Sequence, residues 1–506
     1  MRSELRSLGK KKYRLILVYL IAGLLFVSII VGSSTWYGQR AQAKRKRNVI
    51  FMVSDGFGPA SETYARTYFQ ATQALEHPYG YQLPLDKLLV GSSRTQSSSS
   101  LVTDSAAGAT AFSCALKSYN GAVGVDPDQK PCGTVLEAAK ARGMNTGLVV
   151  TSRITHATPA AFSAHVTGRD SESRIAEQQM GEYALGRQVD LLFGGGKCFF
   201  LPNETNDGCR LDGRDLWSQY QEEGWATLDT REGFDTLEPT GASLPLMGLF
   251  ALDHMSYELD RDPKEQPALH EMTHKALEIL GAESRQEETG FFLLIEGSRI
   301  DMAAHDNDPA AHVHDIAEYQ RTVEVVKAFV DSHPETVMIS VSDHETGGLT
   351  LGMQPGKEYP EYIWYPEVIQ RVQNSSWAVG QALSRVDGGV KAKRAALIHS
   401  LLPESLGISD ATDEEIAFLV DPEQGDIDIE FYLGRMVSRR ANVGWTTHGH
   451  TGVDVNLYAY GMEAEALRGN HDNTDLGIFV SRFLGLDLPS ITDKLNQIIL
   501  YGWSHG

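Results

Sequence analysis

Acidic residues follow three apolar, β-branched runs of the sequence, at the points where predicted strands end. They are Asp55, Glu296 and Asp343, the last of which is followed by His344. The carboxyl ends of parallel strands meet at one edge of a sheet, and ligands of α/β proteins bind at that edge. One such acid could simply cap the next helix, but several together indicate a binding site. The sequence therefore predicts a polar site at this edge.

A carboxylate and an imidazole also occur at helical spacing shortly after the second of these acids. Asp301 and His305 are four residues apart, which places both side chains on one face of a helix. Taken alone, the two residues could form an ordinary ion pair. Together with Asp343, His344 and His450 they make a mixed set of carboxylates and imidazoles, the ligand types that suit zinc.

Ser105 begins a run of small residues that can start a helix. A hydroxyl at a helix N-terminus faces unpaired backbone N–H groups, which stabilise a phosphate group or an alkoxide. Ser105 is therefore a candidate nucleophile if a metal ion lowers the pKa of its hydroxyl. Without the neighbouring ligands, the same serine would be interpreted as an ordinary helix cap.

An α/β fold is needed to position these residues. Four apolar runs predict buried strands, and four amphipathic patterns predict helices. The strands are predicted at 48–53, 146–151, 291–295 and 337–341, and the helices at 134–142, 173–185, 270–280 and 315–330. The alternation indicates a three-layer α/β sandwich with a central, largely parallel sheet. Within the domain at 48–506, residues 354–440 break this pattern and are interpreted as a peripheral elaboration that could overlie the site.

The amino terminus differs in charge from the rest of the chain. Residues 1–47 carry eleven Lys or Arg and one Glu, so their charge is +10, and the remainder of this chain of net charge −21 holds −31. A domain this acidic lacks the positive charge that nucleic-acid binding requires. We predict a basic cytosolic tail at 1–14, a transmembrane signal anchor at 15–37 and a basic linker at 38–47. A cleaved signal peptide is the alternative, since Ala41 and Ala43 have the spacing of a cleavage site.

Two features favour a lumenal position for the body. Asn203 and Asn374 lie in glycosylation sequons, and the number of cysteines, four, is even. Four cysteines allow three pairings, of which we favour the sequence-local one. That pairing joins Cys114 to Cys132 and Cys198 to Cys209.

Taken together, these residues closely resemble the alkaline phosphatase family from Asn48 to about Gly461. The matching motifs are Asp55-Gly56, Asp104-Ser105-Ala106-Ala107, His156-Ala157-Thr158-Pro159, His165 to Arg169, Glu296-Gly297, Asp301 with His305, Asp343 to Gly348, and His450-Thr451-Gly452. The basic tail and uncleaved anchor are most similar to those of the fungal vacuolar members. The resemblance implies a homodimeric, type II protein of the vacuole membrane with a lumenal catalytic domain.

By this resemblance, each subunit binds two zinc ions and one magnesium ion. One zinc is held by Asp301, His305 and His450, and the second by Asp55, Asp343, His344 and Ser105. The magnesium shares Asp55 and is held by Thr158 and Glu296. Imidazole-containing sets suit zinc, and a set made only of oxygens suits magnesium.

The resemblance also implies hydrolysis of phosphate monoesters at alkaline pH through a phosphoserine intermediate on Ser105. Arg169 would hold the phosphoryl oxygens, since its planar guanidinium can bind two of them at once. Asp104 would position Arg169 or the nucleophile helix. The expected substrates are small phosphate monoesters over a broad range, with phosphopeptides as a further class.

Two positions depart from some relatives, which carry an aspartate in place of His156 and a lysine in place of Met302. His156 is therefore expected to contact the ligands of the third metal site without contributing negative charge. The missing lysine removes a positive charge near the phosphate, so we expect weaker retention of product phosphate.

Two other interpretations remain open. A sulfatase or phosphodiesterase could use a related metal core, although Ser105 followed by two alanines argues against both. A catalytically dead metal-binding ectodomain would be expected to lack metal ligands or the nucleophile. Loss of turnover without loss of metal in Ser105→Ala separates an enzyme from a binding protein.

Overall fold

The fold is built on one large sheet. The computed structural model describes residues 46–502, apart from residues 74, 206, 288, 355 and 422–427. The described strands are β1 (Asn48–Val53), β2 (Leu89–Arg94), β3 (Asn145–Arg153), β4 (Leu191–Gly195), β5 (Ala226–Leu228), β6 (Leu246–Leu249), β7 (Phe291–Glu296), β8 (Thr336–Val341), β9 (Glu345–Thr346), β10 (Thr350–Leu351), β11 (Val443–Gly444), β12 (His450–Thr451), β13 (Val455–Gly461) and β14 (Gly469–Asp472). The large sheet has the order β14-β2-β13-β8-β1-β7-β3-β4-β6-β5. Its pairs are parallel except those that β13 makes with β2 and β8.

Helices lie on both faces of the sheet. The described α-helices are α1 (Pro59–Thr72), α2 (Ser105–Cys114), α3 (Val135–Ala141), α4 (Ala157–Ser163), α5 (Glu172–Met180), α6 (Leu216–Glu222), α7 (Arg231–Thr236), α8 (Leu269–Glu287), α9 (Arg299–His305), α10 (Pro309–Ser332), α11 (Pro366–Gln370), α12 (Ser376–Ser384), α13 (Gly389–Ala396), α14 (Asp413–Val420), α15 (Ile429–Ala441), α16 (Asn473–Leu484) and α17 (Leu488–Gly502).

Strand β1 separates two hydrophobic cores. Ile50 and Met52 pack into the core that α8 and α10 cover, whereas Val49, Phe51 and Val53 pack into the core that α2, α3, α4 and α16 cover. This alternation follows from the two-residue period of a strand. The three layers and the largely parallel sheet confirm the predicted fold class.

The predicted elements are present, with differences at their ends. The four predicted strands correspond to β1, β3, β7 and β8. The helix predicted at 173–185 instead ends at Met180, because Gly181 adopts a left-handed φ of 107° that closes the helix. The helix predicted at 315–330 is longer, since α10 already begins at Pro309. The Asp308 carboxylate caps it there by accepting hydrogen bonds from two backbone N–H groups of the first turn.

The predicted peripheral elaboration leaves and rejoins the domain at one place. Strands β10 and β11 pair in antiparallel fashion, with Thr350 opposite Gly444 and Leu351 opposite Val443. Helices α11 to α15 and a π-helical segment, Leu397–Ser405, lie between these strands along the chain. Buried leucines of this segment join the core on the α8 and α10 face of the sheet.

The predicted anchor, residues 15–37, lies outside the described residues. Among the residues that the structure describes, no helix is long and apolar enough to cross a bilayer. Two disulfides are present, Cys114–Cys132 and Cys198–Cys209, with Cα–Cα distances of 5.8 and 4.9 Å. This is the sequence-local pairing.

Candidate active site

The carboxyl ends of β8, β1 and β7 lie side by side, because β1 pairs in parallel with both neighbours. Asp55 and Asp343 follow β1 and β8 closely, and Glu296 is the last residue of β7. All three side chains are fully buried. Gly56 next to Asp55 has a left-handed φ of 74°, and a Cβ there would lie 2.6 Å from the Cα of Asp301. Glycine therefore permits α9 to approach this edge.

Asp55, Asp343 and His344 form what we call the inner group, whose ligand atoms lie within 4.8 Å of one another. The His344 Nε2 atom is 3.5 Å from Asp55 Oδ1 and 3.1 Å from Asp343 Oδ2. Apart from this imidazole, no N–H or O–H donor among the described residues forms a hydrogen bond with the Asp55 oxygens or with Asp343 Oδ2. Burial raises the pKa of Asp55 well above its ordinary range, and the carboxylates of Asp343, Asp301 and Glu296 raise it further. Buried negative charge of this kind fits a bound cation.

Asp301, His305 and His450 form the outer group. On α9, His305 Nε2 lies 3.3 Å from Asp301 Oδ2 and 3.1 Å from His450 Nε2. The Nδ1 atoms point to backbone carbonyls: that of His305 to His448 O at 2.5 Å and that of His450 to Thr103 O at 2.8 Å. Donation from Nδ1 leaves each Nε2 free for a metal ion. The side chain of His305 is 35% exposed, so the outer group borders solvent.

His344 belongs to both groups. Its ligand atom also lies within 4.8 Å of those of Asp301 and His450, and its ring stacks on that of His450 with centroids 3.5 Å apart. The family resemblance implies that this imidazole binds one metal ion only. The two predicted zinc sets are therefore adjacent, with His344 between them.

Thr346 connects the two groups. Its hydroxyl donates a hydrogen bond to Asp301 Oδ1 at 2.5 Å and lies 3.2 Å from His344 Nδ1. The small sheet of β9 and β12 places Thr346 directly opposite His450. Thr346 was part of a matching motif in the sequence, but no role was assigned to it.

The predicted magnesium ligands Thr158 and Glu296 are also fully buried. Thr158 Oγ1 and Glu296 Oε1 have no hydrogen-bond partner within the described part of the chain, while Glu296 Oε2 accepts a hydrogen bond from Ser152 at 3.2 Å. Burial raises the pKa of Glu296 to about 7, and the Asp343 carboxylate adds to this shift. With Asp55, these side chains offer only oxygen ligands, which suits magnesium.

Ser105 is the first residue of α2 and is buried. Asp104 caps this helix, since its Oδ1 accepts a hydrogen bond from the Ala107 N–H at 3.0 Å. Ser105 Oγ lies 3.1 Å from His344 Nε2. The candidate nucleophile thus borders the imidazole shared by both groups, at the positive end of a helix dipole.

Arg169 lies in the loop after α4 and is oriented by two side chains. Its Nη1 donates to Asp104 Oδ2 at 3.2 Å, and its Nη2 donates to His156 Nε2 at 3.1 Å. Burial lowers the pKa of His156 well below its ordinary value, and the Arg169 charge lowers it further, so the neutral ring accepts this hydrogen bond. Asp104 therefore contacts both the nucleophile helix and Arg169, the two roles considered for it.

Arg153 and His254 adjoin the site without having been predicted. Arg153, at the end of β3, donates to Glu172 at 2.7 Å, to Asp253 at 2.8 Å and to His254 Nε2 at 2.7 Å. The His254 ring packs edge-on against that of His156, with centroids 5.3 Å apart. A search for polar residues at every strand end would have found Arg153.

His165 supports the segment that carries Arg169. Its Nδ1 donates to Gly124 O at 2.6 Å, and its Nε2 donates to Glu137 Oε1 at 2.8 Å. Although burial opposes it, the Glu137 carboxylate raises the pKa of His165, which allows both ring nitrogens to donate. Glu137 also belongs to the capping box of α3. His165, which lies in the motif that ends at Arg169, therefore anchors this loop to helix α3.

The two predicted glycosylation sites differ in accessibility. Asn203 is exposed. Asn374 is half-buried with its Nδ2 3.5 Å from Asp260 Oδ1, and Ser376 of the same sequon is buried. The folded chain thus presents Asn203 more openly than Asn374.

The fold and the site together define a protein of the α/β class with a candidate metal-dependent active site. Its ligand groups, serine and arginine converge at the carboxyl edge of a largely parallel sheet, with buried carboxylates that a cation would neutralise.

Comparison with known proteins identifies the family. A family model described as alkaline phosphatase matches residues 46–486. The repressible alkaline phosphatase of Saccharomyces cerevisiae is 45% identical over 98% of this chain and 91% of its own length. The alkaline phosphatase of Schizosaccharomyces pombe is 48% identical over 91% of this chain and 85% of its own. The Thermus thermophilus alkaline phosphatase structure matches with a TM-score of 0.75 and 29% identity, covering 90% of this chain and 96% of that one. The chain belongs to the alkaline phosphatase family, which is metal-dependent and hydrolyses phosphate monoesters.

Proposed function

We propose that this chain converts phosphate monoesters to alcohol and inorganic phosphate at alkaline pH through a phosphoserine intermediate on Ser105. The observation that carries the proposal is the position of Ser105 Oγ, 3.1 Å from His344 Nε2 at the start of α2. Asp104, the adjacent residue, binds Arg169 and so keeps a guanidinium near the hydroxyl. The hydroxyl of Ser105, the guanidinium of Arg169 and the two groups of metal ligands therefore lie close to one another.

The donor sets fit the metal ions that the family resemblance implies. Apart from the contacts with His344 Nε2, the inner group and the magnesium set contain buried oxygens that form no hydrogen bond with a described residue, and the outer histidines direct Nε2 atoms toward one another. We infer two zinc sites and one magnesium site. The first zinc would be held by Asp301, His305 and His450, the second by Asp55, Asp343, His344 and Ser105, and the magnesium by Asp55, Thr158 and Glu296. Bound zinc would stabilise charge on the attacking and leaving oxygens and lower the pKa of the serine hydroxyl and of water.

The chain's own groups bind and orient the phosphoryl group. The Arg169 guanidinium can hold two phosphoryl oxygens, while Asp104 and His156 fix its plane. The Oγ of Ser105 attacks phosphorus, and the bond from phosphorus to the alcohol oxygen breaks. Water then attacks the phosphoserine, the Oγ–P bond breaks, and inorganic phosphate is released. Two in-line displacements leave the configuration at phosphorus unchanged overall.

Hydrolysis of p-nitrophenyl phosphate by the detergent-solubilised full chain, measured against pH, tests this proposal. We expect alkaline activity that a chelator removes and that zinc with magnesium restores. Ser105→Ala should abolish turnover while the protein still binds zinc, as measured by atomic absorption. Metal-replete protein without turnover would support a binding ectodomain, and a preference for bis-p-nitrophenyl phosphate would support a phosphodiesterase.

We further infer a type II protein of the vacuole membrane, with residues 15–37 as anchor, a cytosolic tail and a lumenal body. The basic tail, the uncharged stretch and the sequons support this topology. The alignment with the S. cerevisiae relative, which covers 98% of this chain, also includes most of the N-terminal segment. Protease protection in intact vacuoles tests the topology, and sedimentation tests the homodimer that the resemblance implies. Glycan is expected at Asn203 before Asn374, because Asn203 is the more exposed.

A further inference from the structure

A cavity of about 290 Å³ lies where α15 packs beside the chain segment that leads from β11 to His450. Its walls include Arg435 and Arg439 of α15, together with Trp445 and His448. No acidic side chain is among the described residues that line it. The volume is close to the lower end of the range for small-molecule sites.

Neither arginine of this cavity forms an ion pair with a residue that the structure describes. They are four residues apart on α15 and thus lie on one face of that helix. Arg440, on the same helix, pairs with Asp410 and Glu415. Arg435 and Arg439, by contrast, form no ion pair or hydrogen bond through their side chains with any described residue. An anion between two like charges one turn apart would relieve their repulsion.

The cavity adjoins the outer group. His448, which forms part of its wall, accepts a hydrogen bond from His305 Nδ1 at its carbonyl oxygen. The Nδ1 of His448 in turn donates to the carbonyl oxygen of His305 at 2.7 Å. From His305 the contacts continue to His450 and, through the stacked His344 ring, to Ser105 Oγ. A continuous chain of contacts through His305, His450 and His344 therefore links the wall of the cavity to Ser105.

The sign of the charge at this cavity is opposite to that of the body. Residues 48–506 carry the −31 that remains after the basic amino terminus is subtracted from the net charge of −21. The described lining of this cavity carries two guanidinium groups and no carboxylate, and Glu358 and Glu361 line the neighbouring cavity that Arg439 also borders. The cavity itself is therefore a local positive region in a negative protein. Such a region attracts and holds an anionic group.

We propose that Arg435 and Arg439 bind a second anionic group on the alcohol part of a small phosphate monoester. The chain would then prefer substrates that carry a further phosphate or carboxylate. The inference rests on the proposed function, since it assigns a substrate class to the same site. The arginines act on binding of the leaving alcohol and take no part in bond breaking.

Matched alcohols test this inference in the full chain. The substrates are the monophosphates and bisphosphates of propane-1,3-diol, pentane-1,5-diol and octane-1,8-diol, which differ in reach. For each length we measure the ratio of kcat/KM for the bisphosphate to that for the monophosphate. With at least one length, the double variant Arg435→Gln/Arg439→Gln should lower this ratio about tenfold, which corresponds to about 1.4 kcal/mol. Arg385→Gln, at an exposed arginine of the same peripheral segment outside the cavity, should leave the ratio unchanged.

Calorimetric binding of the same six compounds to the Ser105→Ala protein separates this inference from the proposed function. If wild-type protein hydrolyses neither ester but the arginine-dependent preference for bisphosphates persists in binding, the proposed hydrolysis fails and the anion site stands. An unchanged ratio and unchanged binding at every length in the double variant would overturn the inference. So would an equal loss in Arg385→Gln, or arginine-dependent binding of free sulfate without any preference for the bisphosphates.

Discussion

The inner and outer groups contain the same kinds of side chain but are held in different ways. In the inner group, Asp55 and Asp343 are fully buried, and His344 is the cationic or polar partner nearest to their free oxygens. In the outer group, every side chain has a hydrogen-bond partner from the fold, and His305 is partly exposed. The inner carboxylates are thus buried with few partners for their negative charge. The outer side chains are oriented by hydrogen bonds and border solvent.

This difference indicates how each group depends on metal. The outer ligands are oriented by backbone carbonyls and by Thr346, so their geometry is set by the fold. Burial and the neighbouring carboxylates oppose ionisation of Asp55, whereas His344 lowers the pKa of Asp343 although burial opposes it. An ionised Asp55 without a cation therefore destabilises the folded state. A cation at the inner group should therefore stabilise the fold as well as support the reaction.

The largest effect is expected for Asp55→Asn. Loss of this ligand should lower kcat/KM for p-nitrophenyl phosphate by about 10³-fold, since a bound cation contributes several kcal/mol to the transition state. The pKa of Asp55 is raised in the folded, metal-free chain, so that state retains a proton that the unfolded chain releases. The unfolding free energy of chelated wild type should therefore fall as pH rises above the ordinary carboxyl range.

Calorimetric unfolding in chelator, from pH 5 to 9, measures the stability part of this prediction. Asp55→Asn lacks the uncompensated carboxylate and should be more stable than chelated wild type at the alkaline end. If the variant is less stable there, the inner group does not depend on a cation for its charge balance. That result would remove the distinction between the two groups.

His305→Ala is expected to have a smaller effect, which zinc can partly reverse. Asp301 and His450 keep their own hydrogen bonds to Thr346 and to Thr103, so two ligands remain oriented. Activity should fall about 100-fold at low zinc and recover in part as free zinc increases, because ligand loss lowers metal affinity. Steady-state rates in zinc buffers measure this. If added zinc restored activity to Asp55→Asn but not to His305→Ala, the inner group would tolerate loss of a ligand better than the outer group, and this prediction would be wrong.

Thr346→Val tests the connection between the groups. Valine keeps the shape of the side chain but removes the hydrogen bond to Asp301 and the contact with His344. We expect kcat/KM to fall about tenfold, at the low end of the effect of losing a partner of metal ligands. Thr350→Val, at an exposed threonine of β10, is the control and should retain wild-type kinetics. Equal activity in both variants would mean that the two groups are positioned independently.

Sequence patterns predicted those parts of the site that depend on one element at a time. The position of Asp55 after β1 follows from strand periodicity, and the shared face of Asp301 and His305 follows from helical spacing. The central sheet and its two covering layers were likewise visible in the alternation of apolar runs and amphipathic patterns. Each of these features is encoded within a short segment.

Features that depend on contact between distant segments could not be predicted in this way. Thr346 bridges the groups because β9 pairs with β12, which lies far along the chain. Arg435 and Arg439 belong to none of the motifs found in the sequence, and their cavity exists only because α15 packs beside the chain that follows β11. Local periodicity contains no information about such pairings.

The smallest effect concerns Met302, which follows Asp301 of the outer group on α9. Its sulfur lies 2.9 Å from a guanidinium nitrogen of Arg299, which in turn lies over the Tyr257 ring at 3.7 Å. Met302→Lys would add positive charge beside the outer group, and repulsion from Arg299 would offset part of its attraction for phosphate. We expect the inhibition constant of inorganic phosphate to fall by about threefold, as for a partly exposed charge pair. Met302→Gln, which is of similar length but neutral, should not change it. If the lysine variant also leaves phosphate inhibition unchanged, the open outer group releases product at a rate that charge at position 302 does not control.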